Sequence, residues 1–109
     1  MRLEDPRFQT FPTEVGVSQL RWYIQQTANG VLGIQELLAD FRDLHEAIER
    51  IGPPEYASRD EAQAIWDVLW AVEFCSPDIS KEEDPEDWYI PEEVLAIVRR
   101  AAKVLEPQP

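Results

Sequence analysis

Ile34, Leu37, Leu38, Phe41, Leu44, Ile48 and Ile51 recur at steps of three and four, and Gly52-Pro53-Pro54 then stops the pattern. This spacing lines one face of an α-helix with apolar side chains. Such a stripe needs other elements to cover it, and three further segments supply them. Ser18, a good N-cap, opens a first helix that runs to Asn29 and ends at Gly30, with Leu20, Tyr23, Ile24 and Thr27 on its apolar face and Trp22 off it. Ser58-Arg59-Asp60-Glu61 reads as a capping box in which Ser58 and Glu61 satisfy backbone N–H groups reciprocally. The helix it opens continues through Ile65, Trp66, Val68, Leu69, Trp70, Val72 and Phe74 to Cys75, before Pro77. Apolar residues fall nearly all round it, which predicts the most buried helix, with Trp66 and Trp70 filling core or groove. The last helix opens with Pro91 at its first position and Glu92-Glu93 at the positive end of the dipole. It buries Val94, Leu95, Val98, Ala101, Ala102 and Leu105 and stops at Pro107.

These four segments, with no convincing strand between them, predict an all-α fold: a four-helix, antiparallel, up-and-down-like bundle over residues 17–106. An irregular arm over residues 1–16 precedes it and packs Phe8 and Phe11 onto the core. A loop from Ser76 to Ile90 precedes the last helix.

The 109 residues suit one domain. The single Cys75 forms no internal disulfide, and together with the single His45 it rules out the usual His/Cys zinc cages. No apolar run reaches the roughly 18 residues of a membrane span, and Met1-Arg2-Leu3-Glu4-Asp5 carries no apolar signal region. The expected location is cytoplasmic. A net charge of −12 repels nucleic acid and anionic membranes and attracts basic proteins or cations.

That charge is concentrated. Glu73, Asp78, Glu82, Glu83, Asp84, Glu86, Asp87, Glu92 and Glu93 face only Lys81, so nine acids and one base leave −8 of the total −12 in one short stretch. Helix two adds Glu36, Asp40 and Asp43 on one outward face, while Arg42–Glu46 and Glu46–Arg50 are spaced to pair. Carboxylates four apart on a helix are separated by about 6 Å of rise, and alternate residues of an extended loop by about 6.5 Å. Either array can offer negative charge at intervals comparable to successive phosphates. Trp88 and Tyr89 directly follow the acidic run, a composition that suits an interface hot spot and equally suits aromatics pinning the loop to the bundle. The plain alternative is that the acids are solvated and serve solubility.

Other chemistry is poorly supported. Asp78-x-Ser80-x-Glu82-x-Asp84 alternates oxygen ligands like the start of a calcium loop, but Glu83 stands where glycine is needed and Tyr89 where glutamate is needed. His45 reads as a satisfied boundary histidine and Cys75 as a buried, inert thiol. There is no glycine-rich phosphate loop, nucleophile elbow or paired metal-binding histidine. Neither an enzyme nor a metal nor a cofactor is expected.

Gly30-Val31-Leu32-Gly33-Ile34-Gln35-Glu36-Leu37-Leu38-Ala39-Asp40-Phe41, then Asp67-Val68-Leu69-Trp70-Ala71-Val72-Glu73-Phe74-Cys75-Ser76-Pro77-Asp78, and then Ile90-Pro91-Glu92-Glu93-Val94-Leu95 follow in an order that resembles the colicin D immunity protein family, also described as self-protective colicin-like immunity proteins. The resemblance runs from about Trp22 to Leu105. It implies a small helical bundle that occludes the basic cleft of a tRNA-cleaving toxin domain, with acidic residues standing where RNA phosphates would. The arm through Gly16 and the presence of Cys75 in place of an aromatic depart from the family pattern. The expected partner is a basic protein, a nuclease toxin domain under this reading. The residues expected to meet it are Asp78, Glu82, Glu83, Asp84, Glu86, Asp87, Trp88, Tyr89, Glu36, Asp40 and Asp43. The alternatives are a general acidic interaction module without nuclease inhibition, and a small-molecule binder using the Trp-rich groove.

Overall fold

The computed structural model describes residues 4–76 and 78–106, apart from the side chain of Ile79. The expected stops at Pro77 and Pro107, and the first three residues of the arm, lie outside them. Four α-helices follow one another: α1 (Val17–Ala28), α2 (Ile34–Ile51), α3 (Arg59–Glu73) and α4 (Pro91–Leu105). Each packs on its neighbour in sequence, α4 returns to α1 to close the ring, and α2 also touches α4 across the middle. This is the four-helix bundle the periodicity predicts. Its centre is formed by Leu20 and Ile24 of α1, Leu37 and Phe41 of α2, Ile65 and Val68 of α3, and Val94 and Val98 of α4, all fully buried.

The helix ends follow local chemistry. Glu36 Oε1 accepts from Gly33 N–H at 3.3 Å, and Glu93 Oε1 accepts from Ile90 N–H at 3.1 Å, so α2 and α4 are each closed by a carboxylate three residues in. At α3, Ser58 Oγ accepts from Glu61 N–H at 3.1 Å as expected, but the Glu61 carboxylate reaches back one residue further, to Ala57 N–H at 3.1 Å. Gly30 turns the chain after α1 with φ at +81°, a left-handed conformation that disfavours a side chain.

Several local expectations need correction. α1 begins at Val17 behind Gly16, so Ser18 lies inside the helix. α3 ends at Glu73, two residues before Cys75. Ile51, the last residue of the α2 stripe, is exposed, and Leu95 of α4 is only half-buried. Trp22 is only 6% exposed, because the arm folds back over it. The arm's short 3-10 turn, Pro6–Phe8, is capped by Asp5, whose side chain accepts from Arg7 N–H. It delivers Phe8 and Phe11 onto Trp22, each with ring centroids 5.0 Å away. The indole N–H of Trp22 donates to Thr10 Oγ1 at 3.0 Å. An apolar side chain off one stripe therefore finds its cover in the arm.

Candidate functional site

Where α3 ends, the backbone makes a short parallel bridge between Cys75 and Tyr89. Tyr89 N–H donates to Phe74 O at 2.8 Å and Ser76 N–H to Tyr89 O at 2.9 Å, so the two ends of the acidic loop are clamped together. Inside the clamp, buried Ser76 donates its hydroxyl to Glu82 Oε1 at 2.9 Å, and its oxygen accepts from Asp78 N–H at 3.3 Å. Asp78 Oδ1 accepts from both the backbone N–H and the hydroxyl of Ser80. Two 3-10 turns, Ile79–Lys81 and Pro85–Asp87, carry the chain between these points. Local polar bonds thus give the loop a shape despite its charge.

The acids divide by use. Glu82 and Asp78 brace the loop, and Lys81 Nζ lies 4.0 Å from Asp78 Oδ2. Glu83, Asp84, Glu86 and Asp87 are exposed and have no cationic partner among the described residues. The α2 acids serve differently. Glu36 holds Arg7 of the arm through two bonds of 2.6 and 2.8 Å, and Asp40 Oδ2 accepts from the Tyr23 hydroxyl at 3.1 Å. Two of the three carboxylates expected to form an acidic face are thus engaged within the chain, and Asp43 alone is exposed. Lying between Asp5 and Glu36, the Arg7 guanidinium is held above its ordinary pKa by both hydrogen bonds, so it is charged throughout the working range. Arg42 pairs with Glu46 at 3.4 Å as expected and also bridges to Glu73 of α3 at 3.2 Å; among the described residues no ion pair joins Glu46 to Arg50.

Two aromatics of α3, expected to fill core or groove, are open to solvent. Trp66 is 47% exposed and Trp70 59% exposed. Ile65, Val68, Leu69 and Val72 take the core face of α3, which turns Gln63, Trp66, Asp67 and Trp70 outward together. Gln63 Nε2 donates to Asp67 Oδ1 along that row at 2.8 Å. Trp70 packs on Phe74 with centroids 4.6 Å apart, and Phe74 meets Trp88 edge-on at 6.0 Å. Trp88 and Tyr89 are half-buried, so they pin the loop and still face the surface in part. Trp70, Phe74, Trp88 and Tyr89, with Glu86, Asp87 and Glu93, line a cavity of about 470 Å³.

Two other cavities flank Trp70. One, of about 550 Å³ between α3 and α4, has Asp60, Asp67 and Arg100 in its walls. The other, of about 310 Å³ between α2 and α3, has Arg42, Glu46, Glu49, Glu73 and Trp66 around His45. His45 is 3% exposed, deeper than a boundary residue. Its Nδ1 lies 2.7 Å from Glu49 Oε1 and its ring stands edge-on to Trp66, while its buried Nε2 finds no partner among the described residues. Cys75 is half-buried, and burial, reinforced by the charge of Glu93, pushes its thiol pKa up. That favours the unreactive protonated form. Among the described residues no group of three or more His, Cys, Asp or Glu is arranged to hold a metal, and no helix is long and apolar enough to cross a membrane.

The chain matches no known protein family, no curated protein and no solved structure.

Proposed function

We propose that the chain is an immunity-type protein that binds a basic, tRNA-cleaving toxin domain in the cytoplasm and inhibits it stoichiometrically. The observation that carries this reading is the clamped loop with its exposed Glu83, Asp84, Glu86 and Asp87, unpaired among the described residues, next to an exposed tryptophan. A nuclease cleft holds a row of cationic side chains at phosphate spacing, and a row of fixed carboxylates is its electrostatic complement. Fixing the loop before binding lowers the ordering cost of association. Trp70 adds the apolar area that charge alone does not supply, in the form typical of interface anchors. The nuclease and its RNA substrate enter through the family resemblance, which adds the target class to the charge complementarity.

The reading is tested by immobilising the chain, passing over it the lysate of its source cell at low salt, and assaying what is retained. It predicts a basic protein that cleaves tRNA, is weakened in its hold by high salt, and loses its activity at one equivalent of the chain. Retention of a basic protein whose activity is untouched would instead make the chain an acidic interaction module. Recovery of no basic protein would leave the acids to solvation and overturn the proposal.

A further inference from the structure

We infer that the cavity between Trp70 and Trp88 is a receptor for a single arginine side chain, the anchor by which a basic protein partner is held. This deepens the proposed function by naming the chemistry of one contact, but it can be tested without any nuclease.

The three cavities around Trp70 differ in one respect that decides between them. The α3–α4 groove carries its own cation, Arg100, and the α2–α3 groove carries Arg42, already bonded to Glu46 and Glu73. The cavity of about 470 Å³ has three carboxylates, Glu86, Asp87 and Glu93, and among the described residues no basic one in its wall. Glu93 is partly committed, since one oxygen accepts from Ile90 N–H. Glu86 and Asp87 are exposed and unpaired among the described residues. The same cavity has an aromatic wall: Trp70, more than half exposed, packs against Phe74, which meets Trp88.

Carboxylates and indole rings lining one cavity attract a cation twice, by direct charge and by the ring quadrupole. A guanidinium fits this better than an ammonium. It is planar and can lie on an indole, its several N–H donors can reach two carboxylates, and it sheds water more readily than a lysine head. The surroundings also hold the receptor in place, because Trp88 and Tyr89 lie at the end of the loop that the Phe74 and Ser76 backbone bonds clamp.

The experiment follows the four indole N–H signals of the full chain by NMR during titration with an acetylated, amidated glycine pentapeptide carrying one central arginine. The signals of Trp70 and Trp88 should move saturably, while those of Trp22 and Trp66 stay. The same peptide with citrulline, equal in shape but uncharged, should leave all four in place, and a lysine peptide should bind several-fold more weakly. Glu86→Gln with Asp87→Asn keeps the shape of the wall and should weaken the arginine peptide by roughly tenfold, the effect of losing about 1.4 kcal/mol. Trp70→Ala, at an exposed position, should abolish the response of Trp88. The inference is overturned if Trp70 and Trp88 do not respond, if citrulline acts as arginine does, or if Trp66 responds first. Peptide binding without nuclease capture would leave the receptor standing and remove the proposed toxin; the converse result would do the reverse.

Discussion

The molecule holds two aromatic clusters with opposite fates. Around the arm, Phe8, Phe11, Trp22 and Tyr23 close on one another, and the two polar tips are both satisfied, Trp22 by Thr10 and Tyr23 by Asp40. At the end of α3, Trp70, Phe74, Trp88 and Tyr89 form a comparable group that stays open and is rimmed by carboxylates. The first cluster behaves as an extension of the core, because the arm covers it. The second has no segment laid over it among the described residues, and its surroundings carry charge that an apolar cover would have to bury. Similar side chains therefore stabilise the fold in one place and offer a contact surface in the other.

The comparison breaks most easily at its two tryptophans. Trp22→Ala should cost about 3–5 kcal/mol of folding stability, the usual cost of emptying a buried aromatic site. Trp70→Ala should cost less than about 1 kcal/mol, because most of its surface is already wet. Urea unfolding of both variants measures the difference, and equal costs would mean the clusters are not distinct. A smaller effect sharpens the account of the loop. Its exposed acids repel one another, so added salt should raise the urea midpoint, and the gain should shrink when Asp84, Glu86 and Asp87 are neutralised to Asn, Gln and Asn.

The closed cluster depends on the arm, and Glu36→Gln should loosen it. Amide exchange over residues 5–11 should speed several-fold while exchange in α3 and α4 stays unchanged, as local opening of one peripheral unit requires. The smallest effect concerns Cys75. Its folded pKa lies above the ordinary value of 9.0, so the protonated thiol is favoured by folding. The corresponding stability is present in full below that value and fades as pH rises through the raised one. At pH 8 iodoacetamide should react more slowly with the folded chain than with the urea-unfolded chain.

The stepped stripe of Ile34 to Ile48 placed α2, and the stops at Gly30 and at Gly52-Pro53-Pro54 placed the ends of α1 and α2, because burial of one face leaves a period that survives in the sequence. The exposed tryptophans were illegible for the same reason. In α3 apolar residues run nearly all round, so the period does not say which side faces inward; Gln63 and Asp67, sharing a row with Trp66 and Trp70, were the available sign. Trp22 is the mirror case, since its cover comes from an arm without periodicity. The acidic loop stood out by composition alone, but not the division of labour within it. Whether a carboxylate braces the loop, as Glu82 does through the Ser76 hydroxyl, or stands exposed, as Glu86 does, depends on hydrogen-bond partners that spacing does not reveal. Likewise Glu36 and Asp40 share a helical face with Asp43 but are claimed by Arg7 and Tyr23 from other elements.

The central proposal is that the exposed carboxylates of the loop recognise a basic nuclease domain. Its most direct measurement is the association rate of the purified chain with the nuclease it captures, at two salt concentrations, for the natural chain and for one with Asp84, Glu86 and Asp87 all reversed to lysine. The account predicts fast association that falls with salt, and a reversed chain that associates at least about tenfold more slowly and no longer inhibits. A reversed chain that binds and inhibits as the natural one does would contradict it.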